Sequence, residues 1–408
     1  MGIAYNPKIV TDGLVLCLDA GNKKSFDPRE NLYPHGETLQ TLSNTRCTRQ
    51  SFSSGGPFGT GYQEFTVTEN STSNIYNFDF GNTITLTAGQ VITFSAYFKN
   101  ISLSGNVYLR CWTGTGRAWT TQRQVSYNLT NETSTPSTGT ILKHSISNAG
   151  GGWYRLSMTI QADVNGFSAI SINVGGAVGE KYQATAVQVS NGLTLTEYLQ
   201  TTGTAILRST TYNDLSGNSY NLTIYGTPTH DPSGYFTLAN NQTTQYMMKN
   251  VFANPTTAVT YSCWFRSNFS NANQTPFTYS VNGNNEMLFF TNSSTQIAPH
   301  DKGSAFGVNV PDMQNKWCNF VWTRNSASGV SVYYMDGVQV GARTYLAGTN
   351  ITTGGYLIIG QESDSAGGGF DANQNLDGDF ARLDVYDKVL TEFEVQQNFN
   401  ALRGRFGL

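Results

Sequence analysis

Two pairs of echoing segments, kept in the same order, constrain the fold of this chain most. Val91-Ile92-Thr93-Phe94-Ser95-Ala96-Tyr97-Phe98-Lys99 has its counterpart in Ala258-Val259-Thr260-Tyr261-Ser262-Cys263-Trp264-Phe265-Arg266. At nearly the same distance downstream of each, Gly152-Trp153-Tyr154-Arg155-Leu156-Ser157-Met158 is answered by Lys316-Trp317-Cys318-Asn319-Phe320-Val321-Trp322. Preserved order and spacing indicate two modules of one kind. Within each segment apolar and polar residues alternate with a period of two, as when one face of a sheet packs on a partner sheet. A two-sheet jelly roll satisfies this pattern, and the chain calls for it twice.

Turn residues punctuate strand-like runs throughout, so the chain reads as all-β. Val330 to Val340 is an alternating run split by Asp336-Gly337, a type I′ hairpin signal. The last strand is expected over Phe380 to Tyr386. Thr391-Glu392-Phe393-Glu394 then forms a capping box, opening a short helix that ends near Gly404 and docks through Phe393, Val395 or Phe399.

Charged residues make up only 12% of the 408 residues, and 24 basic side chains face 27 acidic ones with no like-charged block. Nothing here marks a nucleic-acid partner or insertion into a membrane. Cys17, Cys47, Cys111, Cys263 and Cys318 are an odd set without a CxxC pair, and only four histidines accompany them, so buried free thiols are expected rather than disulfides or zinc. The first residues lack an apolar signal core, which predicts synthesis in the cytoplasm without a secretory leader and leaves the Asn-x-Ser/Thr triplets unglycosylated.

Val10-Thr11-Asp12-Gly13-Leu14-Val15-Leu16, Asp214-Leu215-Ser216-Gly217-Asn218, Tyr334-Met335-Asp336-Gly337, Asp384-Val385-Tyr386 and the end Gln397 to Gly407 resemble the laminin-G/concanavalin-like domains of tailed-bacteriophage virion proteins. The strand opened at Gly13 finds its sequel only after Tyr212, so another domain is nested inside the first. Glu30-Asn31-Leu32-Tyr33, Gly151 to Arg155, and Thr196 to Gly203 make the guest similar to carbohydrate-binding-like jelly rolls of phage tails and heads. The expected organisation is thus a discontinuous host, 1–30 with 205–408, and an inserted module, 31–204. A guest enters a surface loop only if its own ends lie close together, which places residues near 30 and 205 side by side.

The resemblance implies a non-enzymatic structural protein of the virion, assembled in the host cytoplasm. It would decorate the capsid or belong to the tail or fibres, touching other virion proteins through jelly-roll faces, as a homo-oligomer or in many symmetric copies. The alternative is an adhesin that binds host surface polysaccharide. A glycan hydrolase needs two carboxylates flanking the scissile bond, about 5 to 9 Å apart. No closely spaced acid run supplies them, because Glu286 stands alone and Glu362 with Asp364 lies in a glycine-rich loop; no catalytic residue is assigned.

For a glycan, exposed aromatic rings beside polar groups are required, and Trp119, Trp112, Tyr127 and Arg117 form the candidate cluster, with Trp119 placed in a Gly-rich loop. Trp112 has the alternative of a core place, although parity sets it with Tyr108 and Arg110. Trp153, Trp264, Trp317 and Trp322 read as sandwich residues. No cofactor is required, but Asp364, Asp371, Asp377 and Asp379 could supply oxygen ligands to calcium; the same residues are also ordinary components of tight loops.

Overall fold

A computed structural model describes residues 8–33, 46–50, 53–59, 61–69, 71–75, 84–115, 118–201, 205–240, 243–270 and 273–408. The chain divides into two compact units, one formed by Met1–Asp27 with Ser209–Leu408 and the other by Pro28–Arg208. Both are sandwiches of antiparallel sheets.

In the Pro28–Arg208 unit, one sheet orders the strands Lys143–Gly150, Trp153–Gln161, Val91–Asn100, Lys181–Asn191, Gly61–Val67 and Cys47–Arg49. The facing sheet orders Thr133–Thr138, Ala118–Asn128, Val107–Thr115, Gly166–Gly176 and Ser71–Ile75. Phe94, Ala96 and Phe98 alternate inward with Leu156, Met158 and Ile160, forming one core with Leu109, Val125 and Ile172. Asn31 and Ile206 exchange backbone hydrogen bonds of 2.8 and 2.9 Å, so the entering and leaving segments of this unit run side by side.

The other unit repeats the scheme. One sheet runs Thr229–Asp231, Tyr235–Leu238, Gly378–Tyr386, Ala258–Ser267, Cys318–Asn325, Val330–Met335 and Val338–Thr344, and Leu14–Asp19 also pairs with Gly378–Tyr386. The partner sheet runs Thr211–Tyr212, Leu222–Tyr225, Tyr246–Phe252, Gly355–Ile359, Phe277–Val281, Asn284–Phe289, His300–Asp301 and Ser304–Ala305. Tyr261, Phe265, Phe277, Phe289, Phe320 and Trp322 fill the space between the sheets, with Phe289 stacked on Phe320 at 3.8 Å. The echoed segments pair in both units: Lys99 stands opposite Trp153, and Phe265 opposite Cys318.

Asp336 and Gly337 both adopt positive φ, 52° and 78°, as the type I′ hairpin demands. The helix spans Glu392–Leu402 with a complete Thr391/Glu394 capping box, and a 3-10 turn over Arg403–Phe406 continues it past Gly404. Val395 is buried and Phe399 stacks on Trp264, but Phe393 is 75% exposed and takes no part in docking. Helical spacing explains the difference: positions 395 and 399 share a face, and 393 lies off it.

Strand parity also redistributes the aromatic residues. Tyr97 and Trp264 have the parity of Thr93 and Ser262, so both lie on the outer faces of their sheets, where each is covered. Tyr97 packs with Trp153 beneath Arg155 and Tyr198, and Trp264 lies beneath Phe399 and Phe406. Among the four tryptophans read as sandwich residues, Trp322 is the one in the inter-sheet core, and Trp317 is half-buried at the rim beside Tyr235 and Phe406.

All five cysteines are free and buried. Burial pushes the Cys318 thiol up to about 12 and raises Cys47 and Cys263 as well. A thiolate is the reactive form, so the native protein is expected to resist thiol reagents and to label only on unfolding. Rapid labelling of any cysteine without denaturant contradicts this.

Candidate functional site: an oxygen-lined rim at Glu362

After the strand Gly355–Ile359 the chain turns at Gly360 and runs back along the outer side of Phe277–Val281. Thr278 Oγ1 donates to the Gln361 carbonyl at 3.0 Å, and Ser280 Oγ meets Ser363 Oγ at 3.3 Å. Next comes the turn at Asn282 and Gly283, both at positive φ. A Cβ on Gly283 would stand 3.0 Å from the Asp364 carbonyl oxygen, so glycine permits this close approach. The turn leads into Asn285, whose Nδ2 donates to Glu362 Oε1 at 2.9 Å. Beyond Glu362, Ser365 and Gly368 bond through their backbones and close a tight loop.

Glu362 is 4% exposed, and its Oε2, like Asn285 Oδ1, is buried without a hydrogen-bond partner among the described residues. Burial pushes this carboxyl above the usual range, Asn285 draws it back, and the charges of Asp364 and Asp371 push it up again. Asp364 and Asp371 are exposed, and Gln374 Nε2 donates to Asp371 Oδ2 at 3.0 Å. The rim is made of oxygens: two orphaned acceptors inside and two carboxylates outside. Among the described residues no group of three His, Cys, Asp or Glu side chains is closed around a metal-sized point. The donor chemistry nonetheless fits a hard cation held partly by amide oxygen.

The four aspartates named from the sequence therefore separate. Asp364 and Asp371 share the Glu362 rim, while Asp377 and Asp379 do not reach it. Asp379 stands opposite Arg266 in the strand register and takes its Nε at 2.7 Å and Nη2 at 2.6 Å, together with Thr237 Oγ1 at 2.6 Å. Asp377 accepts from the Ser270 hydroxyl. These two acids line a polar recess of about 260 Å³ with Thr237, Arg266, Asn268 and Asn315. Arg266 already pairs with Asp379, so Asp377 alone is left to attract a cation here, and the recess is a poorer cation site than the rim.

The aromatic cluster is likewise divided. Tyr127 is fully buried, and its hydroxyl donates to the Ser157 carbonyl at 2.6 Å, so it belongs to the core. Trp112 is half-buried, with the Arg110 guanidinium 5.3 Å from its ring centroid. Trp119 lies in the strand Ala118–Asn128, its backbone opposite Gly114, rather than in a loop; its side chain lies outside the described residues, as does Arg117. Glu362 and Asn285 were not singled out as ligands from the sequence. The signal for them was Asn282-Gly283, a dipeptide that predicts a tight hairpin and so an anchored loop beside it.

Residues 235–403, which hold the whole rim, match the model of the Pentaxin family. Human neuronal pentraxin-1 is 35% identical over 142 residues, covering 34% of this chain and 32% of that protein. Neuronal pentraxin-2 of Cavia porcellus is 33% identical over 145 residues, covering 35% and 34%, and the human neuronal pentraxin receptor is 34% identical over 143 residues, covering 34% and 28%. The chain thus spans about a third of the length of the curated relatives it matches. Among solved structures, the heptameric SAP-like pentraxin from Limulus polyphemus aligns with a TM-score of 0.36 and 20% identity, over 41% of this chain and 82% of that one. The jelly-roll expectation stands. The placement in a bacteriophage virion is overturned, because the named relatives are neuronal pentraxins of animals. No helix among the described residues is long and apolar enough to cross a membrane.

Proposed function

We propose that this chain is a non-enzymatic binding protein whose pentaxin-matching segment takes an oxygen-rich ligand, such as a glycan, through calcium held at the Glu362 rim. The observation that carries this reading is the pair of buried, unpartnered oxygens, Glu362 Oε2 and Asn285 Oδ1, with Asp364 and Asp371 beside them. Unpaired buried acceptors are costly, and carboxylates gathered together repel; a divalent cation offsets both. Glu362 and Asn285 would hold the ion from inside, with Asp364, Asp371 and the Gln374 side-chain oxygen as outer ligands. Bound there, calcium supplies open coordination positions for ligand hydroxyls or anionic oxygens.

Calcium is expected to raise the unfolding midpoint of the purified protein, since an ion bound only by the folded state at about a hundred times its Kd adds about 2.7 kcal/mol. Glu362→Gln keeps the shape and the bond from Asn285 but removes the charge, and the calcium response should fall sharply. An unchanged midpoint in wild type from micromolar to millimolar calcium would sink this reading. Retention on immobilised glycans, compared with and without chelator, then tests the ligand class.

A further inference from the structure

A second polar cluster lies inside the same unit, between its sheets. Arg324, Ser331 and Arg343 stand in one row across three adjacent strands, and Trp322 and Tyr333 form the neighbouring pair. The hairpin His300–Asp301/Ser304–Ala305 of the opposite sheet brings Asp301 against them. Arg324 Nε donates to Asp301 Oδ2 at 2.8 Å, and Arg343 Nη2 lies 3.9 Å from the same oxygen. Arg324, Asp301, Trp322, Ser331 and Tyr333 are all fully buried, and the Arg343 side chain is 9% exposed.

The bonds within this cluster leave much unsatisfied. Arg324 Nη1 reaches Ser326 Oγ at 2.7 Å, and Arg343 Nη2 reaches the Ser304 carbonyl at 2.9 Å. Trp322 Nε1, Arg324 Nη2 and Asp301 Oδ1 have no hydrogen-bond partner among the described residues, while the Tyr333 hydroxyl interacts with Ser331 and Arg343. Two of these three atoms are obligate donors and one is an acceptor. Two guanidinium charges against one carboxylate leave one net positive charge in a low-dielectric interior, where an unpaired ion is heavily penalised. Burial raises the Tyr333 phenol to about 12, with Arg343 drawing it down and Asp301 pushing it back up, and burial together with Arg343 lowers His300.

We infer that this inter-sheet cluster is a binding site for one compact monovalent anion, of the chloride class, held by Arg324, Arg343 and the indole N–H of Trp322. Such an ion accepts from the orphaned donors and brings the cluster to neutrality. A sulfate or phosphate dianion would overshoot neutrality. The site is independent of the Glu362 rim, so either reading can fail without the other.

The test uses the full chain crystallised with sodium bromide in place of sodium chloride and diffraction at the bromine edge. An anomalous peak within hydrogen-bonding reach of Arg324, Arg343 and Trp322 is expected; ordered water there, with no anomalous signal, overturns the proposal. In solution at fixed ionic strength, exchanging gluconate for chloride should raise the unfolding midpoint of wild type progressively, and Arg343→Gln should abolish that response. A bromide peak with no chloride response in wild type means binding at crystal concentration only, and also overturns it.

Discussion

Arg382→Ala is expected to cost about 3–5 kcal/mol or to prevent folding of the Met1–Asp27/Ser209–Leu408 unit, because it strands a buried carboxylate. Arg382 is 5% exposed and forks onto Asp384, with Nε to Oδ2 at 2.7 Å and Nη2 to Oδ1 at 3.0 Å. Its Nη1 reaches Asp19 Oδ2 at 2.6 Å, and Arg405 Nη1 takes the other Asp19 oxygen at 2.6 Å. The first strand of the chain, its last strand and its C-terminal turn thus meet at one charge cluster. Burial alone would raise Asp19, yet Arg382 and Arg405 outweigh it and hold the carboxyl below its usual range; Asp384, more deeply buried, stays above. Without Arg382, Asp384 has no positive partner among the described residues and Asp19 keeps only Arg405 of them. Urea unfolding followed by tryptophan fluorescence checks the value; a loss under about 1 kcal/mol, the scale of an exposed ion pair, would show that water already shares this site.

Trp264→Ala should cost about 3–5 kcal/mol, the range for truncating a large buried aromatic. Trp264 is 1% exposed although it points away from the inter-sheet core, because Phe406 stacks on it at 4.1 Å and Phe399 at 5.8 Å. The substitution therefore both opens a cavity and releases the C-terminal helix. Phe393→Ser, on the exposed side of that helix, should change stability by no more than about 0.5 kcal/mol. Thermal unfolding gives the two magnitudes, and limited proteolysis of the C-terminal segment reports the release. Comparable effects from both substitutions would refute the assignment of helix faces.

The folding elements were largely legible because their causes are local. Period-two alternation marks Ala258–Ser267, Asp-Gly marks the hairpin at 336–337, and Thr391 with Glu394 marks the helix start. The site was legible only in part. Asp364 and Asp371 were named, but an acidic residue among glycines looks the same in sequence whether it ends in a loop facing another carboxylate or, like Asp379, in a strand facing an arginine. Tyr127 could be set among ligands because a tyrosine's sequence neighbours do not reveal that its hydroxyl ends on the Ser157 carbonyl.

By itself, the sequence determined an all-β chain of two echoing sandwich modules closed by a capped helix, since periodicity, turn dipeptides and caps act within a few residues. Tertiary structure alone decided which polar groups meet. Asn285 reaches Glu362, Arg324 reaches Asp301, and Arg382 reaches Asp19 across long separations along the chain. Those pairings depend on strand order and on which loop folds back over which strand, and no local pattern encodes either.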